Sequence, residues 1–382
     1  MCTIIIMSGA LVELVSRGVA DTHLTGQPEI SFWRQNYKRY SPFSMKPERI
    51  DYIGTFAANN EITIPITSKG DLLSYVWIEA PGIATADTVG SPSATGLHGS
   101  TAANPTEFSL WIGGQQVCVL DTLFIQGVHN VLYNTDQALA SGAVTTSAVK
   151  GNANGTTAGS ADHYFIPFFF GNGDFTRCLP LVAMQYHSVE IKIKCRDNFT
   201  PSATPRVYGQ FIFLDTPERD FFVKNEHQLL ITQTQHQIAS NTDTEFDLTY
   251  FNHPCRAFHL INAKSSDSNW ADEYSFDKAT LYVNGVAHSE NMSNVYHHTI
   301  TPLMHCSVLP EGELDNVPVY TWSFAAKLNS AQPSGSINAS RIDTIKLNVT
   351  SPSGGNNMHR VYAVNWNVLK VSSGLASVMY GN

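Results

Sequence analysis

The chain has 382 residues and a mass of 42.0 kDa, enough for two or three ordinary domains. Apolar residues make up 43% of it, so an intrinsically disordered chain is excluded. The net charge is −9, which excludes a generally basic nucleic-acid binder. Charged residues are only 14%, against about 25% in a typical soluble protein, and this indicates that much of the surface faces other protein.

The segment 1–26 is predicted to form an N-terminal arm with a short helix. Its apolar residues have the spacing of one helix face: Leu11, Val12, Leu14, Val15 and Val19. Ser8 precedes them and is a candidate N-cap. Glu13 and Arg17 interrupt the apolar stretch before the about 20 residues that a membrane span needs, and no basic residue precedes it. We therefore expect neither a signal peptide nor a transmembrane helix here.

From residue 27 onward the dominant hydrophobic period is two, which predicts half-buried antiparallel strands. Four runs of inward-facing residues show it best: Ile62, Ile64 and Ile66; Val189, Ile191, Ile193 and Cys195; Phe246, Leu248 and Tyr250; and Ile345, Leu347 and Val349. Residues 27–216 hold about eight strand candidates, the number in a jelly roll. They are Ile30–Trp33, Ile50–Thr55, Glu61–Thr67, Ser74–Glu79, Phe108–Leu120, Tyr164–Phe170, Val189–Cys195 and Val207–Leu214.

Two segments, 81–106 and 138–161, interrupt these strands and are rich in Gly, Ala, Ser and Thr, so we expect exposed loops there. A charged, proline-containing stretch predicts a linker over residues 217–224. The strand pattern then resumes and continues to the C-terminus. Pattern alone therefore predicts an all-β chain of two consecutive barrels or sandwiches, the first over residues 27–216 and the second over residues 225–382.

The histidines are the best candidates for catalysis or metal binding. His297, His298 and His305 lie near Cys306 and Glu311, side chains of the kind that hold a metal in cupin-type jelly rolls. Adjacent residues on a strand point to opposite faces, so at most one of His297 and His298 would be a ligand. Ordinary surface or interface histidines are favoured instead. The sequence also lacks HExxH, GxSxG and P-loop motifs, so we expect no enzymatic activity, no cofactor and no metal.

Two charged segments have alternative interpretations. The loop 267–273 is acidic but lacks the residue order and central glycine of an EF-hand, which disfavours a calcium site. A second segment interleaves basic and aromatic residues, as single-strand nucleic-acid binders do: Trp33, Arg34, Tyr37, Lys38, Arg39, Tyr40, Lys46 and Arg49. Because the chain is acidic overall, a solvated or subunit-contact face is favoured for this stretch.

The cysteines are scattered and form no CxxC motif: Cys2, Cys118, Cys178, Cys195, Cys255 and Cys306. This favours reduced, partly buried thiols over a disulfide scaffold or a zinc finger. N-glycosylation sequons occur at Asn154, Asn198, Asn291, Asn338 and Asn348. They matter only in a secretory compartment, which the lack of a signal peptide disfavours.

Several blocks, in a fixed order along nearly the whole chain, carry a family resemblance. They are Leu24–Phe32 (LTGQPEISF), Tyr37–Arg39, Ile112–Gln115 (IGGQ), Leu179–Val189 (LPLVAMQYHSV), Phe213–Arg219 (FLDTPER), Asn252–Pro254, Gln332–Asp343 (QPSGSINASRID), and Asn365–Leu369 with Ser373 and Gly374. Together they resemble the major capsid proteins of nucleocytoplasmic large DNA viruses, of the algal-virus and iridovirus kind. Gln332–Asp343 is the strongest match.

The resemblance implies a double jelly roll, that is, two consecutive eight-stranded barrels, with the predicted short helix before them. It also implies a homotrimeric, pseudo-hexagonal capsomer that tiles an icosahedral virion shell and assembles in the host cytoplasm. The expected partners are then further copies of the chain, minor capsid or penton proteins and an internal viral membrane. No direct contact with nucleic acid is expected.

The strongest block also has a local physical interpretation. Gln332–Gly335 is predicted to be a turn, because proline fixes its own φ and glycine permits a positive one. Arg341 and Asp343 have the same parity on the strand predicted to follow, so they share a face and could pair. A solvated pair that contributes little to stability is the equal alternative.

A jelly-roll carbohydrate binder is the alternative function, with exposed aromatic side chains lining a groove. Assembly state separates the two hypotheses, because a shell protein forms trimers and sheets, whereas a lectin works at low copy number.

Overall fold

The N-terminal unit of the chain, Met1–Ser41, contains two short helices, α1 (Gly9–Val15) and α2 (Val19–Thr25). We predicted one helix across Leu11–Val19, and the structure corrects this. The break lies at Gly18, whose extended backbone starts α2 and whose amide donates to the Asp21 carboxylate at 2.9 Å. Ser8, the predicted cap, lies outside the described residues.

The strand predicted at Ile30–Trp33 is wrong. These residues form a turn and no β-ladder, and Trp33 is 95% exposed. Alternation over four residues does not make a strand without a neighbour that accepts and donates its backbone hydrogen bonds.

The computed structural model describes residues 9–35, 37–67, 69–83, 96–97, 105–133, 163–171, 174–197, 199–240, 242–262, 274–306, 319–354 and 359–381. The second unit, Pro42–Asn382, is built from antiparallel sheets. Its first strands are β1 (Phe43–Ile50), β2 (Glu61–Ile66), β3 (Leu72–Glu79), β4 (Glu107–Ile112), β5 (Gln115–Asp121), β6 (His163–Ile166), β7 (Val189–Lys194) and β8 (Arg206–Leu214). They form two four-stranded sheets, ordered β1-β8-β3-β6 and β2-β7-β4-β5, which is a jelly roll.

Two of the predicted strands of this barrel differ from the observed ones. Phe108–Leu120 is a hairpin, β4 and β5, because Gly113 and Gly114 have positive φ values (57° and 80°) and turn the chain. The strand predicted at Ile50–Thr55 in fact lies earlier in the chain, because β1 spans Phe43–Ile50 and ends at Ile50. Among the described strands β1 pairs only with β8, so it is an edge strand. Its proline and charged residues interrupt the hydrophobic alternation from which strands are predicted.

The same strand order recurs after β8. The later strands are β9 (His227–Ala239), β10 (Glu245–Asp247), β11 (Pro254–Asn262), β12 (Lys278–Val283), β13 (Val286–Ser293), β14 (Val319–Ser323), β15 (Ile337–Asn338), β16 (Ile345–Thr350), β17 (His359–Ser372) and β18 (Leu375–Val378). One sheet is ordered β10-β16-β12-β13, and β9 pairs with β17, β17 with β11, and β11 with β14. Apart from the additions β15 and β18, this repeats the pairing of the first barrel strand for strand.

Helices occupy a few connections between the described strands. Thr122–Phe124 (α3) continues as a π-helix, Ile125–Tyr133, directly after β5. The π-helix Tyr296–Ile300 continues as α5 (Thr301–Cys306) directly after β13. The predicted linker 217–224 is itself helical, within α4 (Thr216–Lys224), which the Asp215 side chain caps. Among the described residues, no helix is long and apolar enough to cross a membrane.

The core confirms most of the predicted alternation. The inward residues of the runs beginning at Ile62, Val189 and Ile345 are all at most 7% exposed. Tyr250 is the exception at 78%, because its strand, β10, already ends at Asp247. Within 81–106, Ile83 and Leu97 are fully buried, so that segment is not wholly an exposed loop, while 138–161 lies outside the described residues.

Two large hydrophobic clusters fill most of the second unit, and their extents differ; a third, small one consists of Leu72, Cys178 and Ile212. One fills the second barrel, around Leu260 and Leu347. The other fills the first barrel, around Leu110 and Ile191, and continues into residues of the second barrel such as Val364. The two barrels are therefore joined by core packing. The fold class is the predicted double jelly roll, whereas the domain boundaries at 26/27, 216/217 and 224/225 stay predictions.

Candidate assembly surfaces

The structure places the candidate metal histidines on helices instead of a strand, which corrects the prediction. The Nδ1 atoms of His297, His298 and His305 lie 3.2, 2.8 and 2.8 Å from the backbone carbonyls of Thr321, Val319 and Ala325. Each Nδ1 therefore donates to a carbonyl, and burial lowers the pKa of His297 to about 4, so it is neutral. Cys306 is fully buried and Glu311 lies outside the described residues. Among the described residues no group of three His, Cys, Asp or Glu side chains could hold a metal ion.

The other residues singled out in the sequence lie in separate parts of the structure. Arg341 ends a 3-10 turn, Ala339–Arg341, so it and Asp343 do not share the strand face that we predicted. In the basic segment, Lys46 pairs with Glu48 at 2.5 Å, and Arg49 lies 3.7 Å from the Asp51 carboxylate. The acidic loop 267–273 and the sequons at Asn154 and Asn198 lie outside the described residues.

The described cysteines are free and buried: Cys118, Cys178, Cys195, Cys255 and Cys306. Burial raises the pKa of four of these thiols to about 12, and it also raises the pKa of Cys178. A thiol with so high a pKa is a poor nucleophile at neutral pH, because the thiolate is the reactive form.

The two barrels meet along a seam where β5 of the first barrel lies against β9 of the second. Gln233 of β9 donates from Nε2 to the Val117 carbonyl at 2.5 Å. The hydroxyl of Thr234 donates to the Val119 carbonyl. These bonds satisfy backbone carbonyls of β5 outside its own sheet, so the seam includes polar contacts as well as apolar packing.

A buried carboxylate, Asp121 at the end of β5, joins the seam to β17. Arg360 reaches its Oδ2 at 2.6 Å, and the Tyr362 hydroxyl donates to the same oxygen at 2.6 Å. Its Oδ1 accepts the Phe124 amide at 2.7 Å, which caps α3. The side chains of Asp121 and Arg360 are only 2% and 4% exposed. Removing one member of such a buried pair leaves an uncompensated charge, so the pair fixes how the barrels dock.

A second buried chain of hydrogen bonds crosses the seam beside it. The Tyr133 hydroxyl lies 2.6 Å from His259 Nε2, and His259 Nδ1 lies 3.0 Å from the Thr321 hydroxyl. Burial, with a smaller contribution from Arg256, lowers the pKa of His259 to about 3. The ring is therefore neutral, with one nitrogen donating and the other accepting.

The second barrel repeats the elements that the first one uses in the seam, but leaves them exposed. β13 occupies the position of β5, and the helical segment 294–306 follows it as α3 follows β5. One face of this segment is buried, at His297, Thr301 and Cys306. The other presents exposed apolar side chains: Val295, Tyr296, Ile300, Leu303 and Met304. We call β13 and this exposed face the outer helix surface.

The first barrel repeats the other half of the seam. β1 occupies the position of β9, and it is mostly exposed, with Phe43 and Met45 at 53% and 46%. Among the described residues, β5 and β9 thus form one seam, whereas the equivalent elements, β13 with its helix and β1, do not pack on each other. The outer helix surface was not predicted from the sequence, although Ile300, Leu303 and Met304 do have helical spacing. The β1 half includes Lys46 and Arg49, which belong to the stretch predicted to be a solvated or subunit-contact face.

A groove with an aromatic side chain lies on the sheet β2-β7-β4-β5 around Trp111. The Lys192 ammonium sits over the Trp111 ring, 4.5 Å from its centroid, and the indole nitrogen donates to the Ser109 hydroxyl at 2.9 Å. One face of the ring is therefore covered by a cation, and that face does not stack on a sugar. Nothing in this groove favours the carbohydrate-binding alternative.

Fold and surfaces together define a double-jelly-roll protein with an internal barrel seam. A family model described as "Major capsid protein N-terminus" matches residues 31–215, and one described as "Large eukaryotic DNA virus major capsid protein" matches residues 218–377. The major capsid protein of Pyramimonas orientalis virus is 30% identical over 88% of this chain and 90% of its own length. The major capsid protein of Paramecium bursaria Chlorella virus 1 is 26% identical over 88% and 86%.

Solved structures agree on the fold. A quasi-atomic model of the PBCV-1 virus capsid superposes with a TM-score of 0.69 at 22% identity, covering 92% of this chain and all of that one. The Faustovirus major capsid protein gives a TM-score of 0.59 at 11% identity, over 93% and 94% of the two chains. The chain belongs to the family of large eukaryotic DNA virus major capsid proteins. It is a structural protein of the virion shell.

Proposed function

We propose that three copies of this chain form a ring of six barrels, in which first and second barrels alternate. The proposal rests on the repeated strand order. Within the chain β5 packs on β9, whereas the equivalent elements, β13 with its helix and β1, are exposed. In the ring, the outer helix surface of one copy packs on β1 of the next, as β5 and α3 pack on the second barrel within the chain. Three such contacts close the ring and leave no half unpaired.

Interface chemistry supports the same arrangement. Contacts of this kind are heterologous, and a closed ring needs each copy to present both halves. Obligate interfaces of this class bury about 2,000 Å² or more and are depleted in charge. The apolar residues of the outer helix surface fit that composition, and so does the low overall content of charged residues.

The further parts of the proposal follow from membership of the family. Trimers tile hexagonally into an icosahedral shell over an internal membrane, with minor capsid or penton proteins at special positions, and assembly takes place in the host cytoplasm. The chain has no enzymatic activity, and its domains run over 1–26, 27–216, 217–224 and 225–382. The arm, with exposed Val15, Val19 and Leu24, contacts neighbouring capsomers, minor proteins or the membrane side.

Light scattering on purified protein tests the ring. We expect a mass of three times 42.0 kDa at micromolar concentration. Deletion of residues 1–20 should weaken shell assembly more than trimer formation, since the barrels supply the ring contacts. A stable, well-behaved monomer at that concentration would refute the proposal.

A further inference from the structure

A cavity of about 310 Å³ opens at the seam between the two barrels, and it contains arginines. Its walls come from the first barrel at Tyr133 and Phe168, and from the second at Thr232 and Val364. Arg177 and Arg256 both line it. A cavity of this size has room for a small ion together with water.

Arg256 is the unusual member, because it is a buried cation without a counter-charge. It is 8% exposed, and its Nε has no hydrogen-bond partner. Its Nη1 donates to the Leu328 carbonyl at 2.9 Å, and its guanidinium lies over the Tyr133 and Trp366 rings at 4.3 and 4.9 Å. Among the described residues no carboxylate forms an ion pair with it. Arginine does not lose its proton in proteins, so the charge is buried as such.

Arg177 adds a second positive charge to the same cavity. Its Nη2 donates to the Ala331 carbonyl at 2.6 Å, and its Nε lies 3.7 Å from the Asp174 carboxylate, which also lines the cavity. Burial lowers the pKa of Arg256, Tyr133 opposes this, and Arg177 adds to it. Since Asp174 balances only one of the two cations, the cavity has a net charge of about +1.

We propose that this cavity binds a small oxyanion, such as inorganic phosphate, against the Arg256 guanidinium. Guanidinium groups bind oxyanions with short, charge-assisted hydrogen bonds, and the Arg256 guanidinium lines this cavity without a carboxylate partner among the described residues. The bound anion supplies the missing counter-charge at the junction of the two barrels. It therefore stabilises their docking within one chain, a role separate from the proposed ring contacts.

Calorimetric titration of inorganic phosphate into the full-length protein, at constant ionic strength in chloride, tests the site. We expect one phosphate per chain, together with a higher melting temperature in phosphate than in chloride. Arg256→Gln should weaken the affinity about tenfold or more, and Asp174→Asn should strengthen it by removing a repulsive carboxylate. Arg341→Gln removes the same charge at an exposed position outside the cavity and should leave binding unchanged.

Arg177→Gln keeps the test decisive if Arg256→Gln does not fold, because the Arg177 side chain also lines the cavity, is 14% exposed, and its loss should also weaken binding. The proposal is overturned if the wild type shows neither binding heat nor a phosphate-specific rise in melting temperature. It is equally overturned if Arg341→Gln loses as much affinity as the cavity variants, since phosphate would then be bound by overall charge. The oligomeric state does not enter either result, so this inference and the ring proposal can fail separately.

Discussion

The seam inside the chain and the outer helix surface occupy equivalent places in the two barrels, yet their environments are opposite. In the seam, Asp121, Phe124 and Tyr133 are buried against the second barrel. At the equivalent place in the second barrel, Ile300, Leu303 and Met304 are 46%, 48% and 71% exposed. Identical topology therefore does not dictate exposure. This difference is the one that the proposed ring requires, in which the outer helix surface packs on β1 of another chain.

Breaking the buried ion pair in the seam should have the largest effect of the substitutions, and the effect is on stability. Arg360→Met leaves Asp121 buried without its cation, and we expect the chain to lose about 3–5 kcal/mol of stability. Denaturation in urea at fixed protein concentration, followed by tryptophan fluorescence, measures the loss. Lys346→Met breaks an exposed pair with Glu245 and is the control that should keep the wild-type midpoint. Equal midpoints for the two variants would contradict a seam that is fixed by this network.

A substitution on the outer helix surface should weaken assembly and leave the folding of the chain unchanged. Ile300→Asp places a charge in the proposed interface, so trimer dissociation should become at least about 100-fold easier. Sedimentation velocity across a dilution series measures this, and an unchanged circular dichroism spectrum shows that the chain still folds. Tyr250→Asp is the control, because Tyr250 is also exposed but follows β10, at the opposite edge of that sheet from β13. A trimer that tolerates Ile300→Asp would remove this surface from the ring.

The seam should lose stability in acid, because His259 is buried there as a neutral ring. Its pKa is about 3 when folded and about 6.5 when unfolded, so protonation favours the unfolded chain. The stability it contributes is complete above pH 6.5 and falls as the pH drops towards 3, by about 2 kcal/mol at pH 5.

Urea denaturation at pH 7 and pH 5 measures this loss. His259→Asn should show a smaller loss between the two pH values than the wild type. His163→Gln, on the exposed side of β6, should show the wild-type loss. If His259→Asn keeps the full pH dependence, the assignment to His259 is wrong.

The smallest expected effect is on the rate at which the cysteine thiols are modified. The five described cysteines are buried in the barrels or their seam, so iodoacetamide at pH 8 should modify them slowly in the native protein. In urea without reductant, mass spectrometry should find six modified cysteines. Two cysteines that stay unmodified in urea would indicate a disulfide.

The sequence predicted the barrels because period-two alternation directly reports burial on one sheet face, as at Ile62 and Ile191. It missed β1, whose charged residues and proline suit an edge strand. It also missed the seam, since Asp121 and Arg360 are 239 residues apart and no local pattern connects them. The outer helix surface was missed for a different reason, because its histidines were predicted to lie on a strand, whereas the segment is helical.

Mixing two interface variants tests the central claim most directly. Ile300→Asp damages one half of the proposed contact and Met45→Asp, on β1, damages the other, so each variant alone should be monomeric. In a one-to-one mixture, the intact helix surface of the Met45→Asp chain meets the intact β1 of the Ile300→Asp chain. Only that one contact is undamaged, so light scattering should find a species of twice 42.0 kDa. A mixture that stays monomeric, or a trimer formed by either variant alone, would contradict the claim that β13 and its helix pack on β1 of the next chain.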